Sequence, residues 1–133
     1  MPEFVRLQTG ILLRSLASQV NRTARKTDAD AIHDLRVAIR RLSRCLRVFA
    51  QFYPGQAWKK IRRRLADLMK ACGSVRDRDI AIDLLQKAGV PPTSALVRQL
   101  DQERRAAERE LRRDLLRWKQ RGFSRRWRVR LEL

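Results

Sequence analysis

Apolar residues recur along this chain at spacings of three and four, while the strict alternation that marks strands is missing, as are Asn-Gly and Asp-Gly hairpin signals. The pattern predicts an all-α protein, an antiparallel bundle of about four to five helices, over residues 3–26, 28–53, 56–72, 74–88 and 94–120. Ile32, Leu35, Ile39, Leu42, Leu46, Phe49 and Tyr53 form the clearest core seam. A second runs through Trp58, Ile61, Leu65, Leu68 and Cys72. The punctuation fits these divisions. Thr27 and Asp30 resemble a capping box, with Asp28 and Asp30 set to meet the positive end of a helix dipole. Pro54-Gly55 stops the second helix; Gly73 offers a left-handed end to the third, and Ser74 with Asp77 restarts the fourth. Gly89-Val90-Pro91-Pro92 precedes the fifth. The tail after Gly122 is short and highly charged, and no element is assigned to it.

A chain of 133 residues suits one domain with its own core, here 1–133. Charge sharpens the picture. Thirty-two Lys and Arg face 14 Asp and Glu, a formal net charge of +18, which points to a polyanionic partner. Lysines stand only at 26, 59, 60, 70, 87 and 119, so 26 of the 32 cations are arginine, whose planar fork matches phosphate oxygens two at a time. The acids are unevenly spread. From Leu35 to Ala66 there is none, against ten bases: Arg36, Arg40, Arg41, Arg44, Arg47, Lys59, Lys60, Arg62, Arg63 and Arg64. At ~100° per residue, His33, Arg36, Arg40, Arg44 and Arg47 share a stripe roughly 130° around the second helix from its apolar seam, with Arg41 apart from both. On the third helix Lys59, Arg63 and Lys70 fall opposite the seam and Arg62 lies between. Whether the two basic flanks converge is not set by periodicity. His33, beside Arg36 and Arg40, is expected to be neutral without an anion and to charge when one binds.

Other chemistry is sparse. There is no phosphate-cradling G-x-x-x-x-G-K-[ST] loop, no Cys/His cluster and no nucleophile with a nearby histidine base, so a non-catalytic role without cofactor or metal is expected. Asp79 and Asp83 share a helix face that could take Mg²⁺, but the simpler expectation is that such acids cap the helix or pair with Arg76 and Arg78. Cys45 and Cys72 have no metal-ligand spacing and suit a reducing cytosol, and no apolar run is long enough to span a membrane.

The stretch "AIHDLRVAIRRLSRCLRVF", followed by a Trp-led basic helix ending in "LMKACGSVRDRDIAIDLL", resembles the CHAD domain, the conserved-histidine α-helical domain, over residues 31–85. The resemblance implies a bacterial or archaeal helical module that binds inorganic polyphosphate through a basic surface. It makes His33, Arg36, Arg40 and Arg41 signature cations and puts Lys70, Arg76, Asp77 and Asp79 in a second motif. Together with the basic stripes, the expected polyphosphate-binding set is His33, Arg36, Arg40, Arg41, Arg44, Arg47, Lys59, Arg63, Lys70 and Arg76. CHAD domains usually comprise two similar halves, whereas His33 is the sole histidine here, so the chain reads as one half: a fragment, or a minimal version that pairs with itself. A two-fold homodimer is the expectation, supported by Leu96, Val97, Leu100, Leu111, Leu115 and Trp118, more apolar surface than one short bundle needs. The expected setting is the cytoplasm, in association with polyphosphate granules. Two other readings stand beside this one: non-specific nucleic-acid binding at low salt, disfavoured by aromatics placed in the seams instead of between cations, and a helical module docking an acidic partner.

Overall fold

The hydroxyl and carboxylate side chains near residue 28 decide where the second helix starts. Asp28 is its N-cap, its Oδ1 accepting from the Ala31 N–H at 2.8 Å. Thr27, expected in that role, is buried and donates to the Thr23 carbonyl at 2.7 Å, so its oxygen closes the end of the preceding helix instead. The computed structural model describes all 133 residues as α1 (Glu3–Arg25), α2 (Ala29–Val48), α3 (Ala57–Lys87), α4 (Ala95–Gln120) and α5 (Phe123–Arg130), with a 3₁₀ turn at Ala50–Phe52. The fold is all-helical. α1 packs on α2 and α4, and α3 packs on the same two, so the four long helices form a ring in chain order. α5 lies against α1 and α4.

The α2 seam holds: Ile32, Leu35, Ile39, Leu42 and Leu46 are buried at the centre of the core. The helix itself ends at Val48, earlier than the periodicity predicts, and the chain tightens into the 3₁₀ turn before Tyr53. Tyr53 is buried; its hydroxyl donates to Thr9 Oγ1 at 2.7 Å, and Thr9 in turn donates to the Val5 carbonyl at 2.7 Å. That chain satisfies both hydroxyls inside the α1–α2 contact. Gly55, at φ 57°, then reverses the path into α3.

The predicted break at Gly73 is absent. Residues 56–72 and 74–88 belong to one helix of 31 residues, about 46 Å long. A glycine inside a helix costs about 1 kcal/mol relative to alanine, and burial of Leu68, Cys72 and Val75 on either side outweighs that. Ser74 does not cap; its hydroxyl and carbonyl both accept from Arg78 Nη1, at 3.1 and 3.2 Å. A β-carbon at position 73 would meet nothing within 4 Å. Gly73→Ala is therefore expected to raise stability by up to about 1 kcal/mol, read as a higher denaturant midpoint with an unchanged slope. A lower midpoint would show that the open space at Gly73 is needed by the fold.

α4 starts where expected, with Ser94 accepting from the Val97 N–H at 3.2 Å. Its apolar seam is covered within the chain. Val97, Leu111, Leu115 and Trp118 are buried; of the six residues expected to form it, only Leu96, 52 % exposed, is left substantially bare, and Leu116, outside that set, is exposed as well. The expected excess of apolar surface on this helix is thus taken up by α3, α1 and the tail. That tail, unassigned in the sequence, turns at Gly122 (φ 60°) into α5 and brings Phe123, Trp127 and Leu131 into the core. Trp118, Phe123 and Trp127 meet edge to face, with ring centroids 5.0 to 5.2 Å apart. No helix is long and apolar enough to cross a membrane.

Candidate anion-binding site

Antiparallel pairing of α2 and α3 settles the convergence that periodicity leaves open. Arg62, on α3, is half-buried and its Nε donates to Ser43 Oγ on α2 at 3.3 Å. This register places Arg40, Arg44 and Arg47 of α2 and Arg62 of α3 around one cleft of about 250 Å³, floored by Ile39, Leu65, Ala66 and Met69. Seam residues make its floor and arginines its walls. An adjoining cleft of about 420 Å³ shares Arg62 and Ala66 and adds Trp58, Lys59 and Arg63. Basic flanks of two helices therefore border a continuous surface.

The sequence-predicted cations divide into four groups, the last of them Arg36 alone. Arg40, Arg44, Arg47, Lys59 and Arg63 are exposed and line these two clefts. Arg41 is exposed on the other flank of α2, where a cleft of about 280 Å³ against α1 is lined by Gln8, Leu12, Arg41, Arg44, Cys45, Val48 and Phe49. His33, Lys70 and Arg76 are exposed and border neither basic cleft. His33 lies about two turns along α2 beyond the Arg40 end of the cleft, and Arg76 lies beyond the same end on α3.

Arg36 differs from the exposed position its stripe predicts. It is half-buried, and its Nε is sealed from solvent with no hydrogen-bond partner. An unmet donor of this kind costs about 1 to 3 kcal/mol, so packing, not hydrogen bonding, holds the side chain. Its neighbour across the α2–α3 interface is Cys72, whose thiol is pushed up to about 12 by burial, with the Arg36 charge pulling the other way. Cys45 and Cys72 are both free and buried.

Electrostatically the surface is uncompensated. Eight ion pairs form in the molecule, and none uses a cation from the acid-free window 35–66, nor His33, Lys70 or Arg76. Asp34, the nearest acid before the window, is engaged by Arg22 of α1. Asp79 is held by Arg104 of α4, which also binds Glu108 at 3.0 Å, and Asp83 pairs with Lys87 at 2.8 Å. The partners expected for these acids, Arg76 and Arg78, are not the ones used: Arg78 reaches Glu103 of α4 at 3.7 Å. Asp79 in the second motif thus clamps α3 to α4. No group of three or more His, Cys, Asp or Glu side chains is arranged to hold a metal.

Two site features escape the sequence. Arg62 lies at the edge of its apolar seam, where a long side chain can bury its stem and present its head, and only the α2–α3 register reveals that it faces the α2 arginines. Trp58 is the second. Expected inside the seam, it is half-buried and lines the cleft with Lys59, Arg62 and Arg63, the Lys59 ammonium 5.6 Å from its ring. Chemically, the surface can accept several linked anionic oxygens at once through guanidinium forks, beside one aromatic face.

Against known proteins, a family model described as the CHAD domain matches residues 10–132. It spans the tail as well as the motif-bearing helices. No curated protein and no solved structure matches the chain.

Proposed function

The chain belongs to the CHAD-domain family, and from that premise we propose that it binds inorganic polyphosphate along the α2–α3 face, as a binder and not a catalyst. The observation that carries the reading is the cleft walled by Arg40, Arg44, Arg47 and Arg62 with no acid in it. A linear chain of phosphates suits such a surface because each repeat offers oxygens at short, regular intervals to successive guanidiniums, and many weak contacts sum by effective concentration. Lys59 and Arg63 extend the track. His33, Arg36, Lys70 and Arg76 continue it toward the other end of α2 in this reading, while Arg41 stands on the far flank and contributes to the field. Free thiols at Cys45 and Cys72 suit the cytoplasm, where granule-associated polyphosphate is the proposed target.

Trp58 among Lys59, Arg62 and Arg63 favours a second reading, single-stranded nucleic acid with one base stacked on the indole. A competition titration separates the two. Labelled long-chain polyphosphate is displaced by single-stranded DNA, duplex DNA or RNA at ~150 mM salt, where exposed charges are screened beyond about 8 Å. The polyphosphate reading expects affinity to rise with phosphate chain length, orthophosphate to bind poorly and nucleic acids to compete weakly. Equal affinity for orthophosphate and a long chain, or displacement by single-stranded DNA that Trp58→Ala abolishes, would overturn it.

For a homodimer, the support moves from α4 to α1, where Phe4, Leu7 and Ile11 are 60, 57 and 48 % exposed on one face of the helix. Light scattering with and without a long polyphosphate reads this directly, and a monomer under both conditions removes the dimer.

A further inference from the structure

The window 35–66 is not the only acid-free run in the chain. Between Asp114 and Glu132 stand seven cations and no acid: Arg117, Lys119, Arg121, Arg125, Arg126, Arg128 and Arg130. This run is denser than the first. The turn from α4 into α5 folds it back on α1, and five of the seven line a cleft of about 670 Å³ whose other walls include Asn21 of α1 and Ser124 of α5. Of the seven cations, only Arg117 has an acidic partner, Asp114 at 3.7 Å, and it does not line the cleft.

The backbone adds to the field. α5 has no side-chain cap, and its first backbone bond is from the Arg126 N–H to the Gly122 carbonyl at 3.1 Å, so the amides of Phe123, Ser124 and Arg125 are left without a backbone acceptor. Three free donors and the positive end of a helix thus face the same corner as the cations. Arg128 is steadied by its Nη2, which donates to the Gly10 carbonyl at 3.5 Å.

We infer that this α4–α5 corner is a second anion-binding site, built for a segment of phosphate chain and separate from the α2–α3 cleft. The inference rests on the polyphosphate reading for the identity of the anion and on the geometry for the existence of the site. Charge density selects the ligand: five cations around one cleft of this size are neutralised by the closely spaced charges of linked phosphates, whereas an acidic peptide spreads its carboxylates over several residues. The two sites face away from each other. In the ring of four helices, the α2–α3 edge is opposite the α1–α4 edge that α5 and this cleft occupy. A short chain therefore fills one site at a time, and a long chain spanning several protein molecules is cross-linked by them.

Arg125→Glu with Arg126→Glu tests the site without endangering the fold, since both are exposed and acids in the first turn of α5 favour the helix. Tripolyphosphate is titrated calorimetrically at ~150 mM salt into the natural chain, this variant and a cleft variant, Arg40→Glu with Arg44→Glu. Two equivalents are expected for the natural chain and one for each variant, and light scattering with long polyphosphate should show large assemblies for the natural chain alone. A single equivalent, lost in the cleft variant and kept in the corner variant, would overturn the second site and leave the proposed function standing. A single equivalent with the opposite pattern would keep the corner and remove the cleft. Two equivalents untouched by the corner substitutions would place the second anion elsewhere and overturn the inference.

Discussion

Arg40→Glu combined with Arg44→Glu lowers the affinity of the α2–α3 cleft for long polyphosphate by on the order of a thousandfold at ~150 mM salt, read in the Arg125→Glu, Arg126→Glu background so that the corner does not mask the loss, with helicity and melting temperature unchanged or slightly raised. Each reversal replaces an attraction by a repulsion, four units of charge in all. At about 1 kcal/mol per unit near a hydrated surface, that is about 4 kcal/mol, close to three decades in affinity. The fold is spared because both side chains are exposed and neither has an ion-pair partner to lose, so the substitutions relieve crowding among like charges. Arg36→Glu is the wrong probe for this purpose, because a carboxylate in that half-buried position beside Cys72 would cost stability in its own right. The matched control is Arg109→Glu with Arg113→Glu on the exposed face of α4, which changes net charge equally. An equal loss of affinity in the control would reduce the effect to overall charge and sink the cleft.

Trp127→Ala costs about 3 to 5 kcal/mol. Trp127 is 3 % exposed and closes a cluster in which its ring lies 5.2 Å from Trp118 and 5.1 Å from Phe123, at 72° and 70°. Removing it leaves a cavity the size of an indole between α4 and α5 and takes away two edge-to-face pairs. Thermal unfolding followed by circular dichroism should show a melting temperature lower by at least about 10 °C, given the several degrees per kcal/mol usual for domains of this length. An unchanged melting temperature would put the C-terminal helix outside the cooperative unit.

That helix illustrates what a sequence conceals. Phe123, Trp127 and Leu131 recur every four residues, yet four arginines lie among them, and an eight-residue helix is not stable alone. Its existence depends on Trp118 and on α1, partners distant along the chain. Gly73 and Ser74 mislead in the other direction: they read locally as a stop and a restart, while Leu65, Leu68, Cys72 and Val75 keep an unbroken three-and-four spacing across them. Tertiary burial along a whole seam outweighs one residue's preference. The α2 seam is legible because its period and its burial agree at every step.

The candidate site follows the same division. Arg40, Arg44 and Arg47 share a face of one helix, and helical spacing alone assigns them to it. Arg62 needs the register between two helices, which no local pattern encodes. Corner cations need more still, because Asn21 and Arg125 meet only after α1, α4 and α5 have packed. Legibility falls with the sequence separation of the groups that must come together.

The placement of the three tryptophans supplies the chain with its own optical probes. Trp58 sits half-exposed among Lys59, Arg62 and Arg63, so its emission is open to change when an anion or a base enters that cleft. Trp118 and Trp127 are buried against each other on the opposite side of the ring, and their coupled near-ultraviolet signal belongs to the folded core. Occupancy of the basic surface can therefore be followed by the change in emission, and integrity of the fold by near-ultraviolet circular dichroism, in one cuvette and without a dye on either partner.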